Sequence, residues 1–510
     1  MIDYLRRLTR TGAAYTTSSV LAKLIAVFTL PIYTRYVSPE EFGQVEILAT
    51  TVIVLSIFFR LGAIEAVLRF YFLNDEYDPR EVVRTGFWGL TITTTVGVAI
   101  CLAVAGPLAQ LLLRDSADAI TLVYIAIGWF WFATFYELLL ALYRVEERAG
   151  AYAAATVINV LITVPLTIYL VVARDMGAIG LLLGNAVGTA ITVTGLAIVH
   201  LRAGRIAKPG LSLRAPMLRF GLPTVPGEIS LYALNWVDRL LLVNIPASRS
   251  AGLAAAGLYS IAYKFAQGVT MFVRAFQLAW PPLAYSIKAD AEARVVYGRV
   301  LTYYLLVTGG VVTVLALISR WLARLLVSDE FFDAYRAVPL VATGVVLYGA
   351  YLVLVSAVAR MGKTGSLFPV AAAGLVANVA LGLLLIPSQG IVGAALALIG
   401  AYIVLLGLMY IRARQTLGLV IEWRRVTQVV TVAFVVSYAG EHLLPTDGLE
   451  GLALRSVWWL LYPLLLLLSG FFSRAELVQL RNARELLKRA RDSKSLGDRP
   501  DLVQEVHGPE

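Results

Sequence analysis

The sequence predicts an all-α integral membrane protein of about fourteen spanning helices, arranged as two parallel six-helix lobes followed by two further helices. Three observations predict it. Of 510 residues, 59% are hydrophobic and only 15% charged, and the mean hydropathy of +0.77 lies far above that of a water-soluble domain of this size. Apolar runs long enough to cross a hydrocarbon core of about 30 Å recur from one end to the other. The first half of the chain can also be laid on the second at a constant offset.

The runs fall at about 11–36, 44–72, 84–112, 118–143, 151–173, 178–200, 219–243, 255–286, 300–320, 335–358, 366–387, 390–411, 426–444 and 455–472. The first is too long for the apolar part of a signal peptide and is followed by many more, so it reads as a span. "PSQG" at 387–390 predicts a tight hairpin between runs eleven and twelve. With the N-terminus inside, 29 of the 43 Lys and Arg residues lie on cytoplasmic segments, 7 on outer ones and 7 within spans. That asymmetry places both termini in the cytoplasm. The expected location is therefore a cell (inner, cytoplasmic) membrane, crossed many times.

No loop is long enough for a catalytic domain, and 201–218 is the longest internal polar connection. After Phe472, "SRAELVQLRNARELLKRARDSK" spaces leucines helically among basic residues. It reads either as an amphipathic helix on the inner leaflet with a disordered end, or as a solvated tail that sets topology.

The repeat divides the chain. Arg10 and Gly12 correspond to Arg219 and Gly221, Gly43 and Arg60 match Gly257 and Arg274, and Tyr71 matches Tyr285; the last three pairs share an offset of 214 residues. An even number of spans per half makes the repeat parallel, an arrangement suited to two bundles rocking about a site between them. The expected domains are an N-terminal lobe at 1–200, a linker at 201–218, a second lobe at 219–412, helices 13 and 14 at 413–472, and the tail at 473–510.

Seven basic residues lie within spans: Lys23, Arg35, Arg60, Arg69, Arg239, Lys264 and Arg274. Their acidic company is Glu46, Glu65, Glu137, Glu228 and Asp238. Each charge costs about 2.5–3.5 kcal/mol at a helix centre unless a partner or water meets it. Polar stripes concentrate on spans 1, 2, 7 and 8: Tyr15, Ser19 and Lys23; Glu65 and Arg69 as an i,i+4 pair; Glu228, Tyr232, Asn235 and Arg239; and Lys264, Gln267 and Arg274. For Arg35, Arg69 and Arg239, snorkelling to a membrane face competes with a cavity role. Arg60, Lys264 and Arg274 are expected in a central cavity rather than in structural ion pairs. Neighbours on a helix do not face each other, so Asp238 and Arg239 are expected to serve different partners: the other lobe for Asp238, the cavity or outer headgroups for Arg239.

Pro223 and Pro226 interrupt the start of span 7, and Gly180, Gly184 and Gly188 predict a close helix contact. The adjacent Glu40 and Glu41 are expected to cap span 2. Several function classes are excluded. "MGKT" at 361–364 has Ala357 where a phosphate-binding loop needs its first glycine. The three histidines are scattered, and the single cysteine, Cys101, builds neither a disulfide nor a thiolate metal site within one chain. No cofactor, metal or nucleic-acid partner is expected, because the net positive charge flanks spans.

"LPIYTRYVSPEEFGQVEIL" at 30–48, "RFGLPTVPGEISLYALNWVDRLLL" at 219–242 and "AGLYSIAYKFAQ" at 256–267 resemble the polysaccharide transport family. These are the oligosaccharide lipid flippases of the MATE-like MOP superfamily. The resemblance implies a V-shaped transporter, not an enzyme, which moves polyprenyl-diphosphate-linked oligosaccharide from the inner to the outer leaflet for surface polysaccharide export. It implies that Arg60, Lys264 and Arg274 hold the diphosphate, with Lys23, Gln267, Asn235 and Tyr232 beside them. Tyr232, Trp236 and Tyr263 would stack on sugars, while Glu228, Asp238 and Arg239 would serve coupling or lobe contact. Expected partners are the lipid-linked oligosaccharide, membrane lipids and a polysaccharide polymerase or glycosyltransferases. The alternatives are a peptidoglycan-precursor flippase, a multidrug or cation antiporter of the same superfamily, and a membrane glycosyltransferase or ligase. The antiporter would favour an acidic cavity, and the enzyme would need acids in a large outer loop.

Overall fold

The computed structural model describes residue 25 and residues 27–476, apart from 74–75, 115, 207–211, 247, 288, 363–364, 366 and 474–475. Its ordered elements are helical, with no strand among the described residues. The helices are α1 (Leu30–Tyr36), α2 (Pro39–Arg60), α3 (Ala63–Phe70), α4 (Pro79–Ala103), α5 (Ala105–Leu113), α6 (Ala119–Val145), α7 (Ala149–Ala173) and α8 (Gly177–Arg202). There follow α9 (Arg214–Gly221), α10 (Val225–Asn244), α11 (Arg249–Phe265), α12 (Gln267–Ser286), α13 (Asp290–Leu326), α14 (Val338–Arg360), α15 (Leu367–Leu417), α16 (Trp423–Leu443), α17 (Gly448–Trp458) and α18 (Leu461–Leu468). Among the described residues, nine helical stretches are long and apolar enough to cross a membrane. The figure of fourteen rests on the sequence pattern, and most of the first run lies outside the described residues.

Local sequence explains the breaks. Ser38 caps α2: its hydroxyl accepts from the Glu41 N–H at 3.3 Å, and Glu41 accepts from the Ser38 N–H at 2.9 Å. This capping box contributes about 1 kcal/mol, and of the two acids expected at this position only Glu41 takes part. Span 2 ends abruptly because Leu61 and Gly62 are both left-handed, at φ 50° and 71°. A leucine tolerates that region poorly. Pro223 sits in a 3-10 turn, Leu222–Thr224, that separates α9 from α10. Span 8 is not one continuous helix: α11 ends at Phe265 and α12 begins at Gln267. A single helical wheel drawn through Lys264 and Arg274 therefore does not hold. At the predicted hairpin Gly390 leaves helical geometry (φ 53°, ψ −125°). A Cβ on Gly393 would come within 2.4 Å of the Leu385 carbonyl, so the two arms of α15 touch there.

Small residues set the packing, as expected where lipid removes the hydrophobic drive between helices. Gly184 and Gly188 lie against Thr167 and Thr163 of α7; a Cβ on either would stand 2.6 or 2.8 Å from a threonine Cα. The two repeat-matched glycines meet each other. A Cβ on Gly43 would be 1.9 Å from the Leu253 carbonyl oxygen and 3.0 Å from the Gly257 nitrogen, and one on Gly257 would be 2.1 Å from the Pro39 carbonyl. An equivalent pair in mutual contact is what a pseudo-two-fold interface produces.

That crossing belongs to a set of contacts at the end of the bundle that is poor in Lys and Arg. Arg114 donates to the Pro246 carbonyl at 3.0 Å, and Asn244 donates to the Leu111 carbonyl at 3.0 Å. Ser328 donates to the Thr34 carbonyl at 2.6 Å, Arg249 pairs with Glu40 at 3.4 Å, and the Phe42 and Phe331 rings meet edge-on at 5.7 Å. Each joins a residue before 200 to one after 219, so this end is sealed.

Helices 16 to 18 add a network of their own. Arg455 is fully buried (0% exposed); it pairs with Glu441 at 2.6 Å and donates to the carbonyls of Pro445 and Leu317. Arg320 reaches the same Glu441 at 3.0 Å. The expected tail helix lies outside the described residues beyond Glu476, which holds Arg425 at 2.9 Å.

Candidate functional site: a cavity between helices 2, 10, 12, 14 and 15

A cavity of about 480 Å³ lies between the halves. Helix α2 lines it with Glu46 and Thr50, α10 with Tyr232 and Arg239, and α12 with Gln267, Thr270, Arg274 and Gln277. Tyr263 of α11, Tyr348 of α14 and Tyr402 of α15 complete its polar wall. Sequence-predicted Tyr232, Gln267, Arg274 and Arg239 are thus brought together.

The three expected cations separate. Arg274 is exposed in the cavity and has no carboxylate partner among the described residues. Lys264 is paired with Glu46 at 2.8 Å; α11 presents it to the cavity's acid rather than leaving it open. Arg60 is buried and lies amid three carboxylates. It pairs with Glu137 at 2.7 Å and Glu65 at 3.3 Å, and donates a short hydrogen bond to Glu228. The expectation that Arg60 is an open phosphate clamp is therefore corrected: its guanidinium is spent on carboxylates. Because Arg60 belongs to α2 and Glu228 to α10, the cluster ties the two halves together. The adjacent Gly62 and Gly221 approach so closely that a Cβ on Gly62 would be 2.2 Å from the Gly221 carbonyl oxygen.

Three further expectations are corrected. Asp238 is buried and accepts from the Tyr259 hydroxyl and the Asn378 amide, both at 2.9 Å. Both partners follow residue 219, so it does not reach into the first half. Arg239, next in sequence, points to the cavity instead, donating to the Ser260 hydroxyl at 3.0 Å with its guanidinium 5.0 Å from the Tyr263 ring centre. This split answers why an acid and a guanidinium stand side by side: one knits α10 to α11 and α15, and the other faces the cleft. Glu65 pairs with Arg60 and not with Arg69, which lies over the Phe220 ring at 4.4 Å. Trp236 donates to Thr51 at 2.9 Å, a bond between α10 and α2, and is not a cavity wall. Arg35 is exposed, as snorkelling requires. Lys23, Tyr15 and Ser19 lie outside the described residues, as does the side chain of Asn235.

Sequence reasoning missed Gln277, Tyr348 and Tyr402. Gln277 stands three residues beyond Arg274 on the same helix face, so extending the stripe of α12 by one turn would have found it. Arg274 and Arg60 both stand 17 residues past the glycine crossing, for Arg60 about 25 Å along α2. Both therefore lie towards the basic end of the bundle.

Residues 8–288 match the family described as polysaccharide biosynthesis protein. The chain belongs to this family. Among solved structures, the lipid II flippase MurJ in an inward closed conformation superimposes with a TM-score of 0.69 at 13% identity, covering 88% of this chain and 97% of that one. An inward-facing multidrug resistance MATE family transporter of the MOP superfamily gives 0.62 at 14% identity, covering 79% and 98%. A MOP superfamily transporter from Pyrococcus furiosus, described by the reverse polarity of its binding pocket, gives 0.55 at 16% identity, covering 81% and 96%. None of the curated proteins matched the chain. At these identities the likeness is one of fold, and the fold of this polysaccharide biosynthesis protein is the MATE-like transporter fold, in a chain with many membrane-length helices.

Proposed function

We propose that this polysaccharide biosynthesis protein is a flippase that carries polyprenyl-diphosphate-linked oligosaccharide from the cytoplasmic to the outer leaflet by alternating access. The observation that carries the reading is Arg274, an exposed guanidinium in the inter-half cavity with no carboxylate among the described residues. Guanidinium binds phosphate through paired N–H donors, and Arg274 offers them inside the water-accessible cavity. Lys264 and Arg239 stand further in, with Glu46 as their counter-charge. The stretches 1–200 and 219–412 are read as the two moving lobes, linked by 201–218.

The basic end faces the cytoplasm in this reading, with both termini, so the Gly43–Gly257 crossing closes the outer end, and the inner end, where Arg60 holds Glu228, is the one that must open for the cavity to serve the inner leaflet. Outward transfer of an anionic head gains about 2.3 kcal/mol per charge per 100 mV of potential. Coupling through Glu228 stands beside that source, since its bond to Arg60 must part when the basic end opens. Polymerase and glycosyltransferases are the proposed neighbours in the membrane. Likeness to MurJ favours one second reading, a peptidoglycan-precursor flippase, which needs the same diphosphate anchor. Reconstitution in liposomes with a panel of lipid-linked sugars, scored by an enzyme added outside, tests both. Delivery of no carrier in the panel refutes the proposal, and the carrier delivered chooses between the two readings.

A further inference from the structure

Resting on the flippase reading, we infer that Gln267, Thr270, Gln277, Tyr348 and Tyr402 form a subsite for an uncharged sugar directly beside the anion anchor Arg274. The charges of the cavity are segregated. Towards the sealed end Lys264 already holds Glu46 at 2.8 Å, and Arg239 is committed to Ser260 and the Tyr263 ring. Arg274 alone among the lining cations lies on the basic-end side. Around it, α12, α14 and α15 present hydroxyls, amides and aromatic faces beside Val273 and Val345, with no second charge among the described residues. Glu46, the one carboxylate lining the cavity among the described residues, opposes a second anion.

The wall is also rigid. Tyr348 lies between two other rings, 5.8 Å from Tyr402 and 6.4 Å from Tyr351. Tyrosines held this way offer flat faces and fixed hydroxyls at little cost in conformational entropy. Gln277 projects within about 60° of Arg274 on the helix, and Gln267 within about 20° two turns away. A sugar joined to a diphosphate held at Arg274 therefore falls between amides that donate and accept. The subsite selects a neutral first sugar, and this second-half wall, not the Arg60 cluster, sets glycan choice.

The test uses the full chain in nanodiscs, titrated with undecaprenyl diphosphate alone, the same lipid carrying one N-acetylglucosamine, and the same lipid carrying one glucuronic acid. The neutral-sugar carrier is expected to bind at least tenfold more tightly than either of the others. Gln277→Leu and Tyr348→Phe are expected to cut that advantage at least fivefold while leaving the Kd of the bare carrier unchanged, and Arg274→Gln to weaken all three. The inference is overturned if the acidic sugar binds as well as the neutral one, if the wild type does not discriminate, or if the two wall variants weaken bare and sugar-bearing carriers alike. Failure to bind any of the three by the wild type rejects the flippase reading itself and the subsite with it.

Discussion

Replacing Arg60 and Arg274 separately with alanine should give opposite phenotypes, although the two arginines are equivalent in the repeat. Arg60 is 7% exposed and pairs with Glu137, Glu65 and Glu228. Its removal leaves three carboxylates, whose side chains are 26–43% exposed, without that partner. Losing hydrogen bonds between charged groups costs about 1.5–3 kcal/mol, which raises the unfolded-to-folded ratio by roughly one to two orders of magnitude. Arg274 has no carboxylate to strand among the described residues, so Arg274→Ala should stay within about 0.5 kcal/mol of the parent. Unfolding in mixed micelles of rising SDS fraction, followed by the fluorescence of the nine tryptophans, measures both. A second substitution, Glu228→Gln in the Arg60→Ala background, should recover part of the loss by removing one of the stranded charges. Equal stability of Arg60→Ala and the parent, or a large loss in Arg274→Ala, would refute the assignment of one arginine to structure and the other to substrate.

Gly257→Ala should cost about 1–3 kcal/mol, because its Cβ would meet the Pro39 carbonyl oxygen at 2.1 Å and backbone cannot step aside; labelling of cysteines placed at 40 and 250 should rise as the sealed end is propped apart. Arg455→Ala should destabilise by about 1–3 kcal/mol, since it leaves the Leu317 and Pro445 carbonyls without that donor and Glu441 with Arg320 alone, and the same SDS titration reads it. The Arg425 hydrogen bond, outweighing partial burial, holds the Glu476 carboxyl down at about 2, below the ordinary value of about 4.3. A depressed acid stabilises the fold above its unfolded pKa and loses that contribution as pH falls through the folded one. The stability deficit of Glu476→Gln should therefore be constant above about pH 5 and shrink on acidification towards pH 2; a deficit that grows on acidification contradicts the pairing.

Much of this architecture was legible because bilayer physics is written in the sequence. Apolar length gave the helices, "PSQG" gave the turn at Gly390, and the prolines at 223 and 226 gave the broken start of α10. The glycine pair at 43 and 257, found only as a repeat, turned out to be a crossing point. Intramembrane charges were equally visible, but not who held them. Arg60 finds Glu137 77 positions away and Glu228 168 positions away, and no periodicity encodes contact between different helices. Lys264 and Arg274 share a flank on a continuous helical wheel, and no proline marks the break at Ala266 that separates them. Tyr348 and Tyr402 were silent for another reason: a tyrosine in an apolar span looks the same whether it packs or lines water. Arg455 and Arg320 fell at the drawn edges of spans, where a basic residue reads as a topology signal.

The central claim is that the guanidinium of Arg274, without a carboxylate partner among the described residues, receives the diphosphate of a lipid-linked sugar. The most direct measurement compares wild type with Arg274→Gln in liposomes, scoring how much sugar on a polyprenyl diphosphate becomes accessible to an outside enzyme. Delivery by the wild type and its fall by at least tenfold in a variant of unchanged stability is the predicted result. Undiminished delivery by Arg274→Gln would contradict it.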